Sequence, residues 1–400
     1  MKGLKENFQK PHILIVGAGI IGKFNALELS ELGYQITIAD PTLDKNSSSA
    51  ALGLLMGNIY QKRNGRSWIL RKQSLELWPK WIKLLQEFNP ELHIEKRLIQ
   101  LTTNDEKFEK LKKFVNDNTN QGLEILEKDS IIIKNINKIF KTKNIKGVIS
   151  HKDGRIDPQS LLDTLNVYLK NKKINFLKDE IIKIKRFNKK WIATSRSNNE
   201  IKTDAIILCN SLNAINLIID KPHKIKLKPV LGQALEICTN LHEVNLLSLP
   251  KHFNINGKNI IPLTKNKIII GSTDEYHEKP EENVFEKLTD FIENKPSWLS
   301  KERVTRKWFG IRSRPEGEPS PIQKNLEKGL LNHQNCFLQI AAFFVICLAW
   351  IAKRPLQTVP IMVQLLRHSF LQNYSRRYNT VSHQPGCGTI EPVINMKLIF

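Results

Sequence analysis

The sequence predicts an α/β fold made of two interleaved domains, one built on a parallel sheet and a smaller α+β one with a mostly antiparallel sheet. Three observations support this prediction. A strand–helix–strand pattern occupies the first 40 residues, a mainly helical stretch follows, and short extended segments dominate after residue 174. A chain of 400 residues is also longer than one ordinary domain.

The N-terminal unit is the clearest part of this pattern. His12–Val16 is a short apolar run, which is typical of a parallel strand that is covered on both faces. Residues 23–32 carry apolar side chains at helical spacing, and Gly33 stands where a helix usually ends. Gln35–Ala39 is predicted to be the second strand, and Asp40 follows it directly.

The remaining chain alternates between helical and extended patterns. Helices are predicted at residues 66–88, 105–118, 157–169 and 282–291. No regular element is predicted between residues 119 and 146, and Asp153-Gly154 is predicted to be a turn. Strands are predicted at residues 98–102, 174–177, 181–185, 191–195, 205–209, 227–238, 259–262 and 267–272.

A glycine-rich sequence joins the first strand to the first helix. The first glycine allows a tight turn, the second lets the backbone approach a pyrophosphate, and the third lets helix and strand pack closely. The N-terminus of the following helix offers unpaired N–H groups to phosphates. This context predicts a dinucleotide site formed by Gly17, Ala18, Gly19, Ile20, Ile21 and Gly22.

Asp40 stands 18 positions beyond the last of these glycines. At the end of the second strand, its carboxylate can accept hydrogen bonds from a ribose diol and would repel a 2′-phosphate, which disfavours NADP. The motif by itself does not distinguish FAD from NAD. A glycine turn that merely links a strand to a helix is the alternative interpretation.

A family resemblance appears in the next segment, Ser47-Ser48-Ser49-Ala50-Ala51-Leu52-Gly53-Leu54-Leu55. It resembles a small-residue stretch of the D-amino-acid oxidase superfamily, in particular its glycine oxidase and sarcosine oxidase branch. The resemblance implies that FAD is the cofactor and that the stretch contacts the pyrophosphate and the isoalloxazine. A serine-rich loop before a buried helix is an equally good interpretation of the segment alone. The implied contact residues are Ser48, Ser49, Ala50, Ala51, Gly53 and Leu54.

Further partial matches follow in the family's order between residues 11 and 325, at 153–158, 180–182, 205–211, 229–233, 270–275 and 308–312. They imply that backbone at Ile182 meets the adenine, and that Asn210 and Ser211 lie near the flavin where relatives usually have Ala-Gly. The last match implies that Arg312 pairs with the substrate carboxylate, a role that suits a guanidinium. A surface arginine is the alternative, and Asn259 stands where relatives often have a tyrosine.

The resemblance also implies the domain organisation. A Rossmann-type FAD-binding domain would consist of residues 11–90, 145–225 and 306–353, interleaved with a substrate domain of residues 91–144 and 226–305. The resemblance ends after about residue 330, where an apolar run at 336–352 replaces the family's glycine loop. Residues 354–400 are predicted to form a divergent C-terminal tail, whose change could reduce FAD affinity and activity.

The implied reaction is oxidation of a small amino acid or amine by hydride transfer to flavin N5, with dioxygen as the electron acceptor and an imine as product. A glycine oxidase of this type supplies an imine to thiamine biosynthesis. The alternatives are a sarcosine-like amine oxidase, a dehydrogenase that passes electrons to a quinone, a flavoprotein domain acting on tRNA, and a degenerate flavin-binding protein without turnover.

Composition and charge limit the kinds of partner and the cellular compartment that the sequence predicts. The formal net charge is +23, but the lysines are scattered and no aromatic-interleaved basic motif accompanies them, so a nucleic-acid partner is disfavoured. The five cysteines are irregularly spaced and form no CxxC pair, which predicts no metal site and no disulfide framework. A reducing compartment and a polar, charged N-terminus favour a cytoplasmic protein. The sequence does not indicate an oligomeric state.

Overall fold

The computed structural model describes residues 10–43, 47–63, 65–188, 190–217, 226–239 and 245–316. The apolar run at 336–352 and the tail at 354–400 lie outside these residues, so their predictions stay predictions. Within the described ranges, no helix is both long and apolar enough to cross a membrane.

The helices are α1 (Ile20–Glu31), α2 (Gly65–Leu85), α3 (Asp105–Asn116), α4 (Ile131–Phe140), α5 (Pro158–Asn171), α6 (Ala214–Leu217) and α7 (Val284–Thr289). The strands are β1 (His12–Val16), β2 (Gln35–Ala39), β3 (Leu54–Leu55), β4 (Glu95–Thr102), β5 (Leu123–Leu126), β6 (Lys146–Arg155), β7 (Asn175–Leu177), β8 (Ile181–Phe187), β9 (Lys190–Ser195), β10 (Glu200–Thr203), β11 (Ala205–Leu208), β12 (Lys226–Cys238), β13 (Phe253–Ile255), β14 (Lys258–Pro262), β15 (Lys267–Gly271) and β16 (Val304–Glu316).

A parallel sheet of four strands contains the N-terminal unit, in the order β11–β1–β2–β7. One face is covered by α1, α2 and α5, and the other by the antiparallel sheet β10–β9–β8. Phe24 of α1 stacks on Trp81 of α2 with ring centroids 4.0 Å apart, and Glu28 accepts a hydrogen bond from the Trp81 indole at 2.9 Å. This packing fixes the start of α1 at the carboxyl end of β1.

A second sheet of nine strands runs in the order β16–β12–β15–β14–β13–β4–β6–β3, with β5 also pairing with β6. Among the pairings of the described strands in this sheet, only β13 with β4 is parallel. Side chains of α4 and α7 complete the core on one face. The predicted fold class, a parallel sheet combined with a mostly antiparallel one, is therefore confirmed.

The prediction of no regular element between residues 119 and 146 was wrong, because β5 and α4 lie there. The side chain of Ser130 accepts a hydrogen bond from the Ile132 N–H and so caps α4. One face of α4 buries Ile133, Ile136 and Phe140, which follow helical spacing. Isoleucines favour strands, so their number obscured this spacing in the sequence.

The predicted turn at Asp153-Gly154 is also wrong, because β6 continues through both residues to Arg155. The Asp153 carboxylate is fully buried. It accepts hydrogen bonds at 2.7–2.8 Å from the backbone N–H groups of Gly57, Asn58 and Ile59. Asp153 therefore anchors the segment that follows β3, and the extended conformation of β6 is what brings it there.

His252 introduces a pH dependence into the stability of the fold. Its imidazole is fully buried just before β13, and burial, with a smaller contribution from the nearby charge of Arg155, lowers the pKa of His252 to about 4 from the usual 6.5. In the unfolded chain His252 takes up a proton as the pH falls below 6.5, whereas in the folded chain it does not do so until about pH 4. Stability is therefore lost as the pH falls through this interval.

Between pH 6.5 and pH 4, we expect the free energy of unfolding of His252→Phe to fall by about 2 kcal/mol less than that of the wild type. The reason is that phenylalanine fills about the same space without binding a proton. Urea denaturation at several pH values measures the difference. His93→Phe, at an exposed histidine, should keep the wild-type dependence. A His252→Phe protein whose stability follows the same pH curve as the wild type would contradict this expectation.

Candidate functional site

The glycine turn (residues 17–22) connects β1 to α1 and presses against the end of β11. Gly17 has a φ of 109°, and a Cβ atom there would lie 2.6 Å from the carbonyl carbon and oxygen of Cys209. A Cβ atom at Gly22 would lie 1.9 Å from the carbonyl oxygen of Gly17. Neither position can accept a side chain, so these two glycines make the tight turn and the close approach of helix to strand.

Gly19 faces the open side of the turn. A Cβ atom there would meet one neighbouring atom within 4 Å, Ser48 Oγ at 3.2 Å. Gly19 cannot cap α1 with a side chain, and the Ile20 N–H donates instead to Ser48 Oγ at 3.0 Å. The side chains of Ile20 and Ile21 pack, fully and partly buried, into the core between the parallel sheet and α1, α2 and α5. Both residues therefore present their backbone to the open side of the turn. A helix N-terminus with N–H groups and a serine hydroxyl is suited to a phosphate.

Asp40 lies at the end of β2, beside the glycine turn. Its Oδ2 accepts a hydrogen bond from the Ala18 N–H at 2.8 Å, and its Oδ1 accepts from the N–H groups of Thr42 and Leu43 at 2.8 and 2.9 Å. Oδ1 also accepts a hydrogen bond from the Thr42 hydroxyl at 2.9 Å, so its acceptor sites are filled, whereas Oδ2, with one hydrogen bond, can accept a second one. The predicted ribose partner therefore lies next to the predicted phosphate site.

Asn210 and Ser211 follow β11 at the same edge of the parallel sheet. Asn210 Oδ1 is buried and has no hydrogen-bond partner among the described residues. Buried carbonyl oxygens are rarely left without a donor, so this atom fits a site that a polar ligand completes. Ile182 lies at a bulge on β8, outside the regular strand pairs and 45% exposed, and its neighbour Ile181 packs in one core with Val16 and Ala39 at the ends of β1 and β2. Burial raises the pKa of the neighbouring Cys209 thiol to about 12, which keeps it protonated.

The small-residue loop (residues 47–53) joins the glycine turn to the large sheet. Ser47 Oγ donates a hydrogen bond to the carbonyl oxygen of Ile311 at 2.7 Å. Trp308 Nε1 donates to the carbonyl oxygen of Ala50 at 3.2 Å. The loop that touches the start of α1 through Ser48 therefore also lies directly on β16.

The end of this loop has a structural role. Gly53 has a φ of 79°, and a Cβ atom there would lie 1.8 Å from the carbonyl oxygen of Ile156. Leu54 is buried in β3, which pairs with β6. Ala51 packs against the core between the parallel sheet and α1, α2 and α5, and Ser49 is partly buried. These contacts secure the loop between the two sheets.

Arg312 lies on β16 opposite Val230 of β12. Because strand residues two apart share a face, it lies on the same side as Gly310, where a Cβ atom would come within 2.9 Å of the loop residue Ala50. Arg312 Nη2 donates to Asp274 Oδ1 at 2.9 Å, and the two side chains are 28% and 60% exposed. The structure thus places Arg312 on the face of β16 that the small-residue loop covers.

Sequence reasoning missed two contacts of this site. Asp274 lies within the partial match at 270–275, but no sequence pattern links it to Arg312, which lies 38 residues later. Trp308 belongs to the partial match at residues 308–312, but that match carries no signal for a hydrogen bond to a loop 258 residues away. Asn259, in the place of the relatives' tyrosine, is buried and accepts a hydrogen bond from Asn254 Nδ2 at 3.0 Å.

A cavity of about 900 Å³ lies beside β12 and β16, lined by Gln233, Trp308, Phe309 and residues of α7. At its edge, ligand atoms of Glu275, His277 and Glu281 lie within 4.8 Å of one another. Lys287 Nζ lies 2.6 Å from Glu281 and 3.8 Å from Glu275, so a lysine already supplies the cation for these carboxylates. This cluster is not evidence for a metal, and neither feature touches the glycine turn.

Residues 12–338 match the sequence profile of the DAO family, which is described as FAD dependent oxidoreductase. No curated protein sequence matches the chain. Among solved structures, glycine oxidase from Geobacillus kaustophilus has a TM-score of 0.70 at 19% identity, and the match covers 91% of this chain and 95% of that one.

Two further solved structures share the fold. Iminodiacetate oxidase from Chelativorans sp. BNC1 has a TM-score of 0.67 at 14% identity, covering 90% of this chain and 95% of that one. L-α-glycerophosphate oxidase from Mycoplasma pneumoniae, with FAD bound, has a TM-score of 0.64 at 16% identity, covering 89% of this chain and 94% of that one. At these identities the likeness shows the fold alone.

Proposed function

Because the chain belongs to the DAO family of FAD-dependent oxidoreductases, as its sequence motifs predict, we propose that it oxidises a small amino acid or amine between the glycine turn and β16. The placement of Arg312 carries this proposal. One short loop contacts the N-terminus of α1 through Ser48 and covers the face of β16 that bears Arg312. A guanidinium is well suited to a carboxylate. The names of two structural relatives, glycine oxidase and iminodiacetate oxidase, support this substrate class.

The residues at the glycine turn fit FAD, the cofactor of this family. Gly19 leaves the N-terminus of α1 open to a phosphate, Asp40 is oriented beside it for a ribose, and the buried Asn210 Oδ1 awaits a donor. The chemistry that FAD supplies when bound is acceptance of a hydride from the carbon attached to the substrate nitrogen. The protein's part is to hold the pyrophosphate at α1 and to orient the substrate carboxylate at Arg312.

Glycine, or an amino acid of similar size, is the substrate that we favour, with dioxygen as the electron acceptor. Gly310 lies against Ala50 so closely that a Cβ atom would come within 2.9 Å, which suits a small substrate beside Arg312. Oxidation of glycine would give the imine expected from the resemblance to enzymes of thiamine biosynthesis.

Purified protein reconstituted with FAD tests this function. Anaerobic addition of glycine, sarcosine or D-alanine should bleach the flavin absorbance, and air should restore it with formation of peroxide. Recovery that requires an added quinone would identify a dehydrogenase. Protein that binds FAD but is not reduced by any of the three compounds would contradict the proposed substrate class.

Gly19→Ala is expected to weaken FAD binding about tenfold, because the added methyl group lies where a phosphate approaches the N–H groups of α1. The stability of the FAD-free protein should change little, since the methyl group would meet only Ser48 Oγ, at 3.2 Å. A fluorescence titration with FAD and urea denaturation of the FAD-free protein measure the two effects. An unchanged FAD affinity would remove Gly19 from the site.

A further inference from the structure

Asp274 forms an ion pair with Arg312 at the proposed site. Its carboxylate oxygen Oδ1 lies 2.9 Å from Arg312 Nη2. The residues on either side are fixed to β12, because the N–H groups of Thr273 and Glu275 donate to main-chain carbonyls of that strand at 3.1 and 3.0 Å. The sheet therefore fixes the backbone of Asp274, and its side chain, which is 60% exposed, reaches Arg312 from that backbone.

We propose that Asp274 makes the site selective for zwitterionic amino acids over simple carboxylic acids. This inference rests on the proposed function, in which Arg312 binds the substrate carboxylate. A ligand that carries only a carboxylate must compete with Asp274 for the guanidinium and then remain beside a negative charge. A zwitterionic amino acid carries an ammonium group next to its carboxylate. When that carboxylate replaces Asp274 at the guanidinium, the ammonium group becomes the new partner of the Asp274 carboxylate.

The selectivity has an attractive and a repulsive part. Attraction between Asp274 and the ammonium group strengthens binding of the amino acid, and repulsion between Asp274 and a lone carboxylate weakens binding of the simple acid. Gly232 leaves the space that this exchange requires, since a Cβ atom there would lie only 3.3 Å from Arg312 Nη2. Both charged groups are partly exposed, so each part should change a dissociation constant by about fivefold.

Glycine and propionate form a suitable pair of probes, because propionate replaces the ammonium group of glycine by a methyl group of similar size. The dithionite-reduced holoprotein cannot oxidise glycine, so anaerobic calorimetry measures both dissociation constants without turnover. Asp274→Asn keeps the size and polarity of the side chain but removes its charge. We expect it to weaken glycine binding about fivefold and to strengthen propionate binding about fivefold, which changes their ratio about 25-fold.

Glu278→Gln is the matched control, since it removes an exposed carboxylate four residues away from Asp274. It should leave the ratio of the two dissociation constants as in the wild type. A ratio in Asp274→Asn that stays within about twofold of the wild type would overturn the selectivity proposed for Asp274.

Arg312→Gln separates this result from a failure of the proposed function. It should abolish binding of both glycine and propionate. If propionate binding survives in Arg312→Gln, Arg312 is not the carboxylate partner and the proposed site fails. If Arg312→Gln loses both ligands while Asp274→Asn keeps the wild-type ratio, only the inference on Asp274 fails. If the wild type binds neither ligand, both proposals fail.

Discussion

Gly22→Ala is expected to lower the free energy of unfolding by about 3 kcal/mol or more and to abolish FAD binding. The added Cβ atom would lie 1.9 Å from the carbonyl oxygen of Gly17 and 3.4 Å from a methyl group of Ile15. Because α1 is packed beneath α2 and α5, it cannot move outward without opening a buried core. Any such movement would also displace the N–H groups that face the phosphates. Urea denaturation and an FAD titration measure the two effects.

Gly257→Ala provides the matched control. Gly257 lies between β13 and β14 with a φ of 92°, and a Cβ atom there would have no neighbour within 4 Å. The variant should lose only about 1–2 kcal/mol through backbone strain and should bind FAD normally. If Gly22→Ala proves no less stable than Gly257→Ala, the contact between α1 and the glycine turn is looser than the structure shows.

Arg312→Ala should reduce kcat/KM by a factor that corresponds to about 2–4 kcal/mol, while FAD stays bound. Without the guanidinium, the substrate carboxylate has no cationic partner and lies beside the negative charge of Asp274. The residues that fit the FAD phosphates and ribose lie at the glycine turn, so cofactor content should not change. Steady-state kinetics with the active substrate and the flavin absorbance of the purified variant measure the two quantities.

Arg314→Ala is the appropriate comparison for this result. Arg314 lies on the same strand, and its guanidinium donates a hydrogen bond to the hydroxyl group of Tyr276 at 2.6 Å. Its removal lowers the charge of β16 by the same amount as Arg312→Ala but should leave kcat/KM close to that of the wild type. Equal losses in the two variants would assign the effect to the general charge of the strand.

Local patterns were enough to predict the N-terminal unit. The bounds of β1 and β2 agree with the predicted ranges because each strand is a short apolar run that ends at a glycine or an aspartate. The glycine turn could be predicted because its function depends on backbone geometry, which glycine alone permits. The cap at Ser130 was equally local, but the isoleucines of α4 hid the helical spacing behind a strand-like composition.

Contacts between distant segments could not be predicted in the same way. The small-residue loop lies on β16 through hydrogen bonds of Ser47 and Trp308 whose partners are more than 250 residues away in sequence. Asp274 and Arg312 are both partly exposed, so no burial pattern singles them out as a pair. The parallel pairing of β13 with β4 is likewise a consequence of the whole sheet rather than of either strand.

The pairing of β1 with β11 has a consequence for the order in which the protein matures. The glycine turn leaves the ribosome early, but Gly17 packs against Cys209, which is synthesised almost two hundred residues later. Until then β1 lacks a neighbour on one edge, and an apolar strand with an open edge is prone to aggregate. An FAD site that includes the contact of Gly17 with Cys209 therefore forms only after β11 has been synthesised.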